Sequence, residues 1–297
     1  MQRHELEVFL HLAETLHFGK TSRSCNMSPS ALSRLIQRLE EELGYRLLDR
    51  DNRSATLTEA GARYRDYART VVEGYRNLTD SLEEMSGEVR GEVRIYASVT
   101  ACYTILPRIL SSFRLAFPGV QIHLRTGDAA SAIRTVIDGD ADVTVAARPD
   151  LLPGQVEFRD LTTTPLVFVR PSESCDVREM LMKSPVTWEQ VPMILAEAGL
   201  SRSRLEAWFR HHGTRPLIYA EVSGNEAILA MVGLGCGAGV VPSLVLEASP
   251  MTNVEPMEVT PTLEPYQVGL CVNRRSLSLP AVREFWDLIP RHIGLTE

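Results

Sequence analysis

"SPSALSRLIQRLEEELG", residues 28–44, withholds its acidic residues until Glu40 and then places three in a row, Glu40 to Glu42. The bias extends upstream: from Thr15 through Leu39 there is no Asp or Glu, in a chain that carries 38 acidic against 31 basic residues. Ser28 is a good N-cap, and Pro29 suits the first helical position, where its missing N–H costs nothing. Ala31, Leu32, Leu35, Ile36, Leu39 and Leu43 then recur as one apolar stripe, with Ser30, Ser33, Arg34, Gln37 and Arg38 on the opposite face. Gly44 supplies a C′ residue. The spacing predicts a helix over 29–43 with one face for a core and one for a partner that repels carboxylates.

Upstream, Leu6, Phe9, Leu10, Ala13 and Leu16 predict an amphipathic first helix, and a shorter one is expected from Phe18 to Cys25, followed by a tight turn at "NMS". Two helices joined by a turn, the second exposing Ser, Arg and Gln, fit a helix-turn-helix. Small residues at its amino end let such a helix enter a major groove, where Arg and Gln reach base edges and phosphates. The expected contacts with double-stranded DNA are Lys20, Ser28, Pro29, Ser30, Ser33, Arg34, Gln37 and Arg38, with Glu40 to Glu42 at the far end from the phosphates. A solvated helix with chance charge placement is the alternative. In "YRLLDRDNRSATLTEAG", short strands at 46–49 and 54–57 around "RDNR" predict a hairpin wing, with Arg50 and Arg53 at its tip for phosphate or a minor groove.

Thr58 caps a long helix. Within it Tyr64, Ala68, Val71, Tyr75, Leu78, Leu82 and Met85 step by 4, 3, 4, 3, 4, 3, a period of 3.5 that suits coiled-coil pairing. A dimer is the expected consequence, and two copies on two half-sites share the load of a weakly basic surface.

The combination S-x-S-x-L-S-R, R-L-E-x-x-L-G and L-T-E-A-G at these separations resembles the amino-terminal domain of LysR-type transcriptional regulators. The family places Ala-Ala in the second helix and a Leu shortly after, where this chain has Thr21, Ser22 and Cys25, all small enough to pack. The resemblance implies a homo-oligomer, often a dimer of dimers, that binds operator DNA and answers to a small effector, with RNA polymerase a further partner.

Composition agrees with a soluble globular protein: 297 residues, 44% hydrophobic and 23% charged, enough for two or three compact units. The net charge of −7 argues against indiscriminate coating of nucleic acid but not against a local DNA-reading face. Glu5, Glu7 and Glu14 interrupt the first apolar stretch, so it does not read as a signal peptide, and no run reaches the length of a membrane span. Cys25, Cys102, Cys175, Cys236 and Cys271 are odd in number and widely spaced. They predict reduced thiols in a cytoplasmic protein, buried and structural rather than redox-sensing, with no metal and no cofactor.

Beyond residue 90 the pattern changes. "GEVRIYASVTA", "QIHLRTG" and "ADVTVAARP" read as strands separated by the helices "LPRILSSFRLAFPGV" and "DAASAIRTVIDG"; the helix after the first strand is expected to open at Thr100. The alternation restarts with strands "PLVFVRP", "VPMILAE", "PLIYAEVS" and "AGVVP" and helices "SRSRLEAWFRHHG" and "GNEAILAMVGLG". "EPYQVGLCVNRR" reads as a strand returning to the first unit before a closing helix at 280–289, while "SPMTNVEPMEVTPTLEP" reads as a Pro-rich surface segment. Alternating strands and helices predict parallel sheets in an α/β region.

The expected organisation is therefore a winged helix-turn-helix domain (1–58), a dimerising coiled-coil linker helix (59–90) and an α/β effector domain (91–297). Lobe 1 of that domain would take about 91–162 and 268–297, and lobe 2 about 163–267. The family's effector region has the same layout and is similar to periplasmic solute-binding proteins. Ligands favour the carboxyl ends of strands at such a cleft. Helix amino ends there bind anions through unpaired N–H groups, which marks Ser98, Thr100, Ala101, Gly127, Asp128, Ser201, Arg202, Gly224, Asn225 and Glu226 as effector-binding candidates. Helix capping is the plainer role for each hydroxyl. "SVTACY", "RTGDAA", "EAWFR", "IYAEVSGNEA" and "MVGLGCG" resemble a branch of the family that activates isoleucine–valine biosynthesis. The resemblance implies acetolactate and acetohydroxybutyrate as effectors and the ketol-acid reductoisomerase gene as target.

Other classes fit less well. "GLGCGAG" (233–239) follows a helix and leads to a strand, the reverse of a dinucleotide fingerprint, and lacks a Walker lysine. His11, His17, His211 and His212 make no metal-ligand pattern, and no catalytic triad or paired carboxylates emerge from spacing, so no enzyme is expected. A solute-binding protein for transport is opposed by the DNA-reading domain. A regulator answering another small acid and a cytoplasmic small-molecule-binding protein without gene regulation are the remaining alternatives.

Overall fold

The computed structural model describes residues 2–50, 55–84 and 89–289. By contacts the chain divides into two units, Met1–Ser86 and Gly87–Glu297.

In the first unit, α1 (Arg3–Thr15), α2 (Phe18–Ser24) and α3 (Pro29–Leu43) precede a two-stranded wing, β1 (Leu48–Arg50) and β2 (Ala55–Leu57), and then α4 (Glu59–Glu84). Ser28 Oγ accepts the Ala31 N–H at 3.1 Å, Pro29 opens α3, and Gly44 ends it in the left-handed region (φ 74°). Leu32, Leu35, Ile36 and Leu39 of α3 are buried with Leu6, Val8, Phe9, Leu12 and Ala13 of α1. Two expected core residues fall outside: Leu43 is 42% exposed in the last turn, and Leu16, 38% exposed, is the left-handed cap of α1 (φ 49°). Val8 and Leu12 fill the stripe instead. Thr21 and Ser22 are buried at 0% and 2% exposure, and a buried hydroxyl needs a partner. Thr21 finds it in Thr15, Oγ1 to Oγ1 at 2.7 Å, and Ser22 in the Gly19 carbonyl at 3.3 Å.

The wing pairs antiparallel, Leu48 with Leu57 and Arg50 with Ala55; its expected tip, residues 51–54, lies outside the described residues. The first strand begins at 48 rather than 46 because its approach is committed elsewhere. Arg46 O accepts from Thr58 Oγ1 at 2.7 Å, and Leu47 O from Thr58 N at 3.1 Å. Glu40 has a structural role: its Oε1 accepts the N–H groups of Leu47 (2.8 Å) and Leu48 (3.2 Å), tying the end of α3 to the wing.

The second unit has two five-stranded sheets. It runs β3 (Gly91–Ala97), α5 (Val99–Thr104), α6 (Leu106–Ala116), β4 (Val120–Thr126), α7 (Ala132–Ile137), β5 (Val143–Ala147) and β6 (Val156–Thr164), which enter lobe 1. Lobe 2 follows with β7 (Leu166–Pro171), α8 (Asp176–Leu181), β8 (Pro192–Ala196), α9 (Leu200–His211), β9 (Leu217–Val222), α10 (Asn225–Gly233), β10 (Ala238–Pro242), α11 (Ser243–Ala248) and β11 (Val254–Met257). The chain then returns to lobe 1 as β12 (Tyr266–Asn273) and closes with α12 (Pro280–Leu288). Strand orders are β4-β3-β5-β12-β6 and β11-β7-β10-β8-β9. In each sheet three neighbouring strands are parallel and two more join antiparallel, so the expected wholly parallel sheets are mixed.

Two crossings join the lobes, one at Pro165 and one over 258–265. β11 lies inside the segment expected to be surface loop, and pairs along β7. Ser98, not Thr100, caps α5, accepting the Ala101 N–H at 3.3 Å. The glycines of "GLGCGAG" make the expected helix-to-strand turn: a Cβ on Gly237 would lie 2.6 Å from Pro192 O, and Gly235 has φ 78°. All five cysteines are free, but only Cys271 is fully buried; the other four are half-buried, unlike the expected structural thiols.

Candidate DNA-binding face and effector cavity

On the first unit, the exposed side of α2 and α3 carries Lys20, Ser28, Pro29, Ser30, Arg34, Gln37 and Arg38, with Ser33 half-buried. Arg23, one turn from Lys20, joins them; its Nε donates to Gly19 O at 3.0 Å, which holds its head beside α2. Spacing had offered no reason to separate Arg23 from a solvated helix end. Arg34 Nε donates to Ser30 O at 3.4 Å. Arg38 is already paired, its guanidinium donating to the Glu5 carboxylate of α1. Arg50 lies in β1 by its backbone, its side chain outside the described atoms, and Arg53 lies outside the described residues.

The seven seam positions of α4 separate into groups. Tyr64 and Ala68 are buried in the unit's own core, Tyr64 edge-on to Phe9 with ring centroids 4.7 Å apart, and Val71 packs against the same core. α1 thus occupies the first half of the expected seam, because a helix lying on its own domain needs a wider stripe than a coiled coil. Tyr75 and Leu78 are 47% and 54% exposed, with the Arg3 guanidinium 4.5 Å over the Tyr75 ring. The Leu82 side chain and Met85 lie outside the described atoms.

In the second unit the loops after β4, β8 and β9 border a partly open cavity of about 50 Å³ between the lobes. At ~10–15 Å³ per water that is room for roughly four waters, the bulk of a small organic acid. Asp128, Ser201, Gly224 and Asn225 line it, as expected, alongside Ala129, Ala130, Ala147, Ala196, Ala198, Gly199 and Leu200. α9 and α10 both start from glycine, Gly199 and Gly224, with no side-chain cap, and the residues of both amino ends line the cavity, where first-turn N–H groups lack partners within their own helix. Gly199 has φ 95°, and a Cβ there would lie 2.9 Å from Ala130 Cβ of the facing lobe.

Tyr266 also lines the cavity, and spacing alone gave no sign of it. It starts β12 as the chain leaves the second crossing, its hydroxyl 3.3 Å from Ser201 Oγ. Burial pushes its phenol up to about 12, outweighing the Ser201 bond and the Arg204 charge, so it stays a neutral donor and acceptor.

Other candidates point elsewhere. Arg202 does not serve the cavity: Nε meets Glu206 at 2.6 Å, and an NH donor meets Glu221 at 2.6 Å and Ala196 O at 3.1 Å. The i,i+4 glutamate captures it. Gly127 gives room to Tyr96, whose hydroxyl would lie 2.2 Å from a Cβ there and donates to Asp128 O at 3.0 Å. Ser98 is a cap and Ala101 is buried. Thr100 and Glu226 bond each other across the lobes, Thr100 N–H and Oγ1 donating to Glu226 Oε1 at 3.1 and 2.7 Å. His212 stacks on Trp208 at 3.8 Å and lies 2.8 Å from its carbonyl, a packing role; no metal-holding group of His, Cys, Asp and Glu occurs among the described residues. Among the described residues no helix is long and apolar enough to cross a membrane.

Comparison with known proteins agrees with both units. Residues 4–62 match the family "Bacterial regulatory helix-turn-helix protein, lysR family", and residues 86–294 match "LysR substrate binding domain". The chain is 42% identical over 296 residues to the HTH-type transcriptional regulator IlvY of Escherichia coli K12, covering 98% of this chain and all of that one. It is 38% identical over 291 residues to the transcriptional activator IlvY of Haemophilus influenzae, covering 97% of this chain and all of that one. In fold it is similar to CbnR, a LysR family transcriptional regulator, with TM-score 0.63 at 20% identity over 97% of this chain and 98% of that one. Full-length OxyR of Pseudomonas aeruginosa gives the same score and identity over 97% and 93%.

Proposed function

The chain belongs to the LysR family of bacterial regulatory helix-turn-helix proteins, and from that premise we propose that it activates isoleucine–valine biosynthesis in the cytoplasm on sensing an acetohydroxy acid. The observation that carries the reading is the cavity: small, lined by alanines and glycines, and served by two uncapped helix amino ends. Such ends favour an anion, each by about 0.3–1 kcal/mol and more where partly buried. Acetolactate and acetohydroxybutyrate bring one carboxylate for those amides and a hydroxyl for Ser201, Asp128 or Tyr266. The resemblance to IlvY extends along nearly the whole chain, which supports the ketol-acid reductoisomerase gene as target.

In this reading two helix-turn-helix units of a dimer, itself half of a dimer of dimers, dock on half-sites of an interrupted inverted repeat. Effector binding favours one arrangement of the lobes and shifts DNA bend and contact with RNA polymerase by its differential affinity for the two states.

Calorimetry on the full-length protein tests the effector. Acetolactate and acetohydroxybutyrate are expected to bind at least tenfold more tightly than pyruvate or benzoate. Equal or absent binding, with operator binding intact, would remove the effector assignment and leave a LysR regulator with another signal.

A further inference from the structure

Glu226 is the second residue of α10 in lobe 2, but its carboxylate serves lobe 1. Its Oε1 accepts both the N–H and the hydroxyl of Thr100, in the first turn of α5, at 3.1 and 2.7 Å, across 126 residues of sequence. The next N–H of that turn, on Ala101, is taken by Ser98 Oγ. Burial and then the Glu226 charge hold the neighbouring Cys102 thiol up, in keeping with a carboxylate in close quarters. The Thr100 and Ala101 N–H groups of α5 are therefore satisfied from within the protein, while α9 and α10, starting at Gly199 and Gly224 beside the cavity, have no side-chain cap.

We infer that Glu226 is a built-in carboxylate that fastens the lobes together beside the cavity and limits the effector to a single carboxylate of its own. The inference rests on the cavity being the effector site. Hydrogen bonds to an ionised acceptor are roughly twice as strong as neutral ones, and these two exist only while the lobes are together. When the lobes part, Thr100 N–H returns to water. A ligand whose second carboxylate extended toward α5 would meet a like charge already seated there. A hydroxy-keto monoacid has no second carboxylate to bring against it.

The test has two arms on the full-length protein. The first needs no effector: hydrogen exchange at the Thr100 amide, in wild type and Glu226→Ala. Exchange at least tenfold faster in the variant is expected; equal rates would overturn the fastening. The second compares, by calorimetry, acetolactate with citramalate, which keeps the tertiary hydroxyl and methyl but carries a second carboxylate. Wild type is expected to prefer acetolactate by at least thirtyfold and Glu226→Gln by less than threefold. The same preference in both proteins, or none in wild type, would overturn the single-carboxylate limit. Wild type silent to both ligands would instead remove the acetohydroxy-acid reading, with the exchange arm still deciding whether Glu226 joins the lobes. A wild-type urea midpoint for the second unit in both variants, followed by its own tryptophans Trp188, Trp208 and Trp286, shows that they are folded.

Discussion

Gly61 sets how closely α4 can approach the wing. A Cβ there would stand 2.0 Å from the Leu47 carbonyl oxygen and 2.9 Å from its carbon, and backbone cannot swing aside as a side chain can. Together with Thr58, which caps α4 by accepting Gly61 N–H at 2.9 Å and donates to Arg46, this gives "LTEAG" its physical meaning: cap, clamp and close approach. Gly61→Ala is expected to cost about 1–3 kcal/mol, as overpacking does, read as lost hydrogen-exchange protection in α3 under mild urea. Such residues are legible in sequence because their partners are near in the chain. Tyr266 and Ser201 are 65 residues apart, and only the second crossing brings them together. Arg202 misled for the opposite reason: a basic residue beside a helix start fits an anion site, but the carboxylates that capture it lie one turn along α9 and on β9.

Cys271 carries a pH consequence. Burial lifts its thiol from 9.0 to about 12, so the folded protein keeps the proton after the unfolded chain has lost it. The stability that Cys271 contributes is fully present below pH 9 and is lost progressively as pH rises from 9 toward 12. Urea midpoints between pH 8 and about 10.5 should fall in the wild type, and fall less in Cys271→Ala.

At the scale of elements, helices were easier to read than strands. Caps and 3.6-residue stripes sit within one segment, whereas β6 was not singled out as a strand, its "VEFRDLTTT" carrying Glu157, Arg159 and Asp160 within four residues. The fold gives all three partners unreadable in advance, Glu157 lying 3.7 Å from Arg274. Asp160 takes Arg148 at 2.6 Å, and Arg159 lies 4.5 Å over the Trp286 ring and donates to Ile289 O at 2.9 Å. β11 was hidden by Pro256, which is tolerated because the strand is at the sheet edge. Arg170 and Arg178 hold its Glu255 against β7 and α8 at 2.8 and 2.7 Å. The long helix shows a further limit: a 3.5 period does not say where the domain's own core ends and a partner's surface begins. Tyr64 and Ala68 belong to the former, leaving Tyr75 and Leu78 exposed. Leu78→Asp should therefore lower the oligomer mass seen by light scattering without unfolding the helix-turn-helix; an unchanged mass would place the dimer contact elsewhere.

For the whole molecule, the two units have separate cores, and a change on one should leave the other's binding intact when no partners are shared. Arg34→Ala is expected to weaken specific operator binding by roughly 1–3 kcal/mol while leaving effector affinity unchanged by calorimetry; loss of effector binding instead would refute that separation. The two-lobed plan was legible because the strand–helix alternation restarts and a last strand returns. The closing of those lobes on each other was not, since Thr100 and Glu226 meet only in three dimensions.

The placement of β12 also orders assembly during synthesis. β7 to β11, the whole lobe 2 sheet, are contiguous in the chain, whereas β12 sits between β5 and β6 in the other sheet. Until residues 266–273 leave the ribosome, lobe 1 is an open three-stranded sheet with β6 unmatched, so the lobe begun first is completed last. A nascent chain thus acquires its regulatory half in reverse order, and the strand that completes lobe 1 also brings Tyr266, the last wall of the cavity.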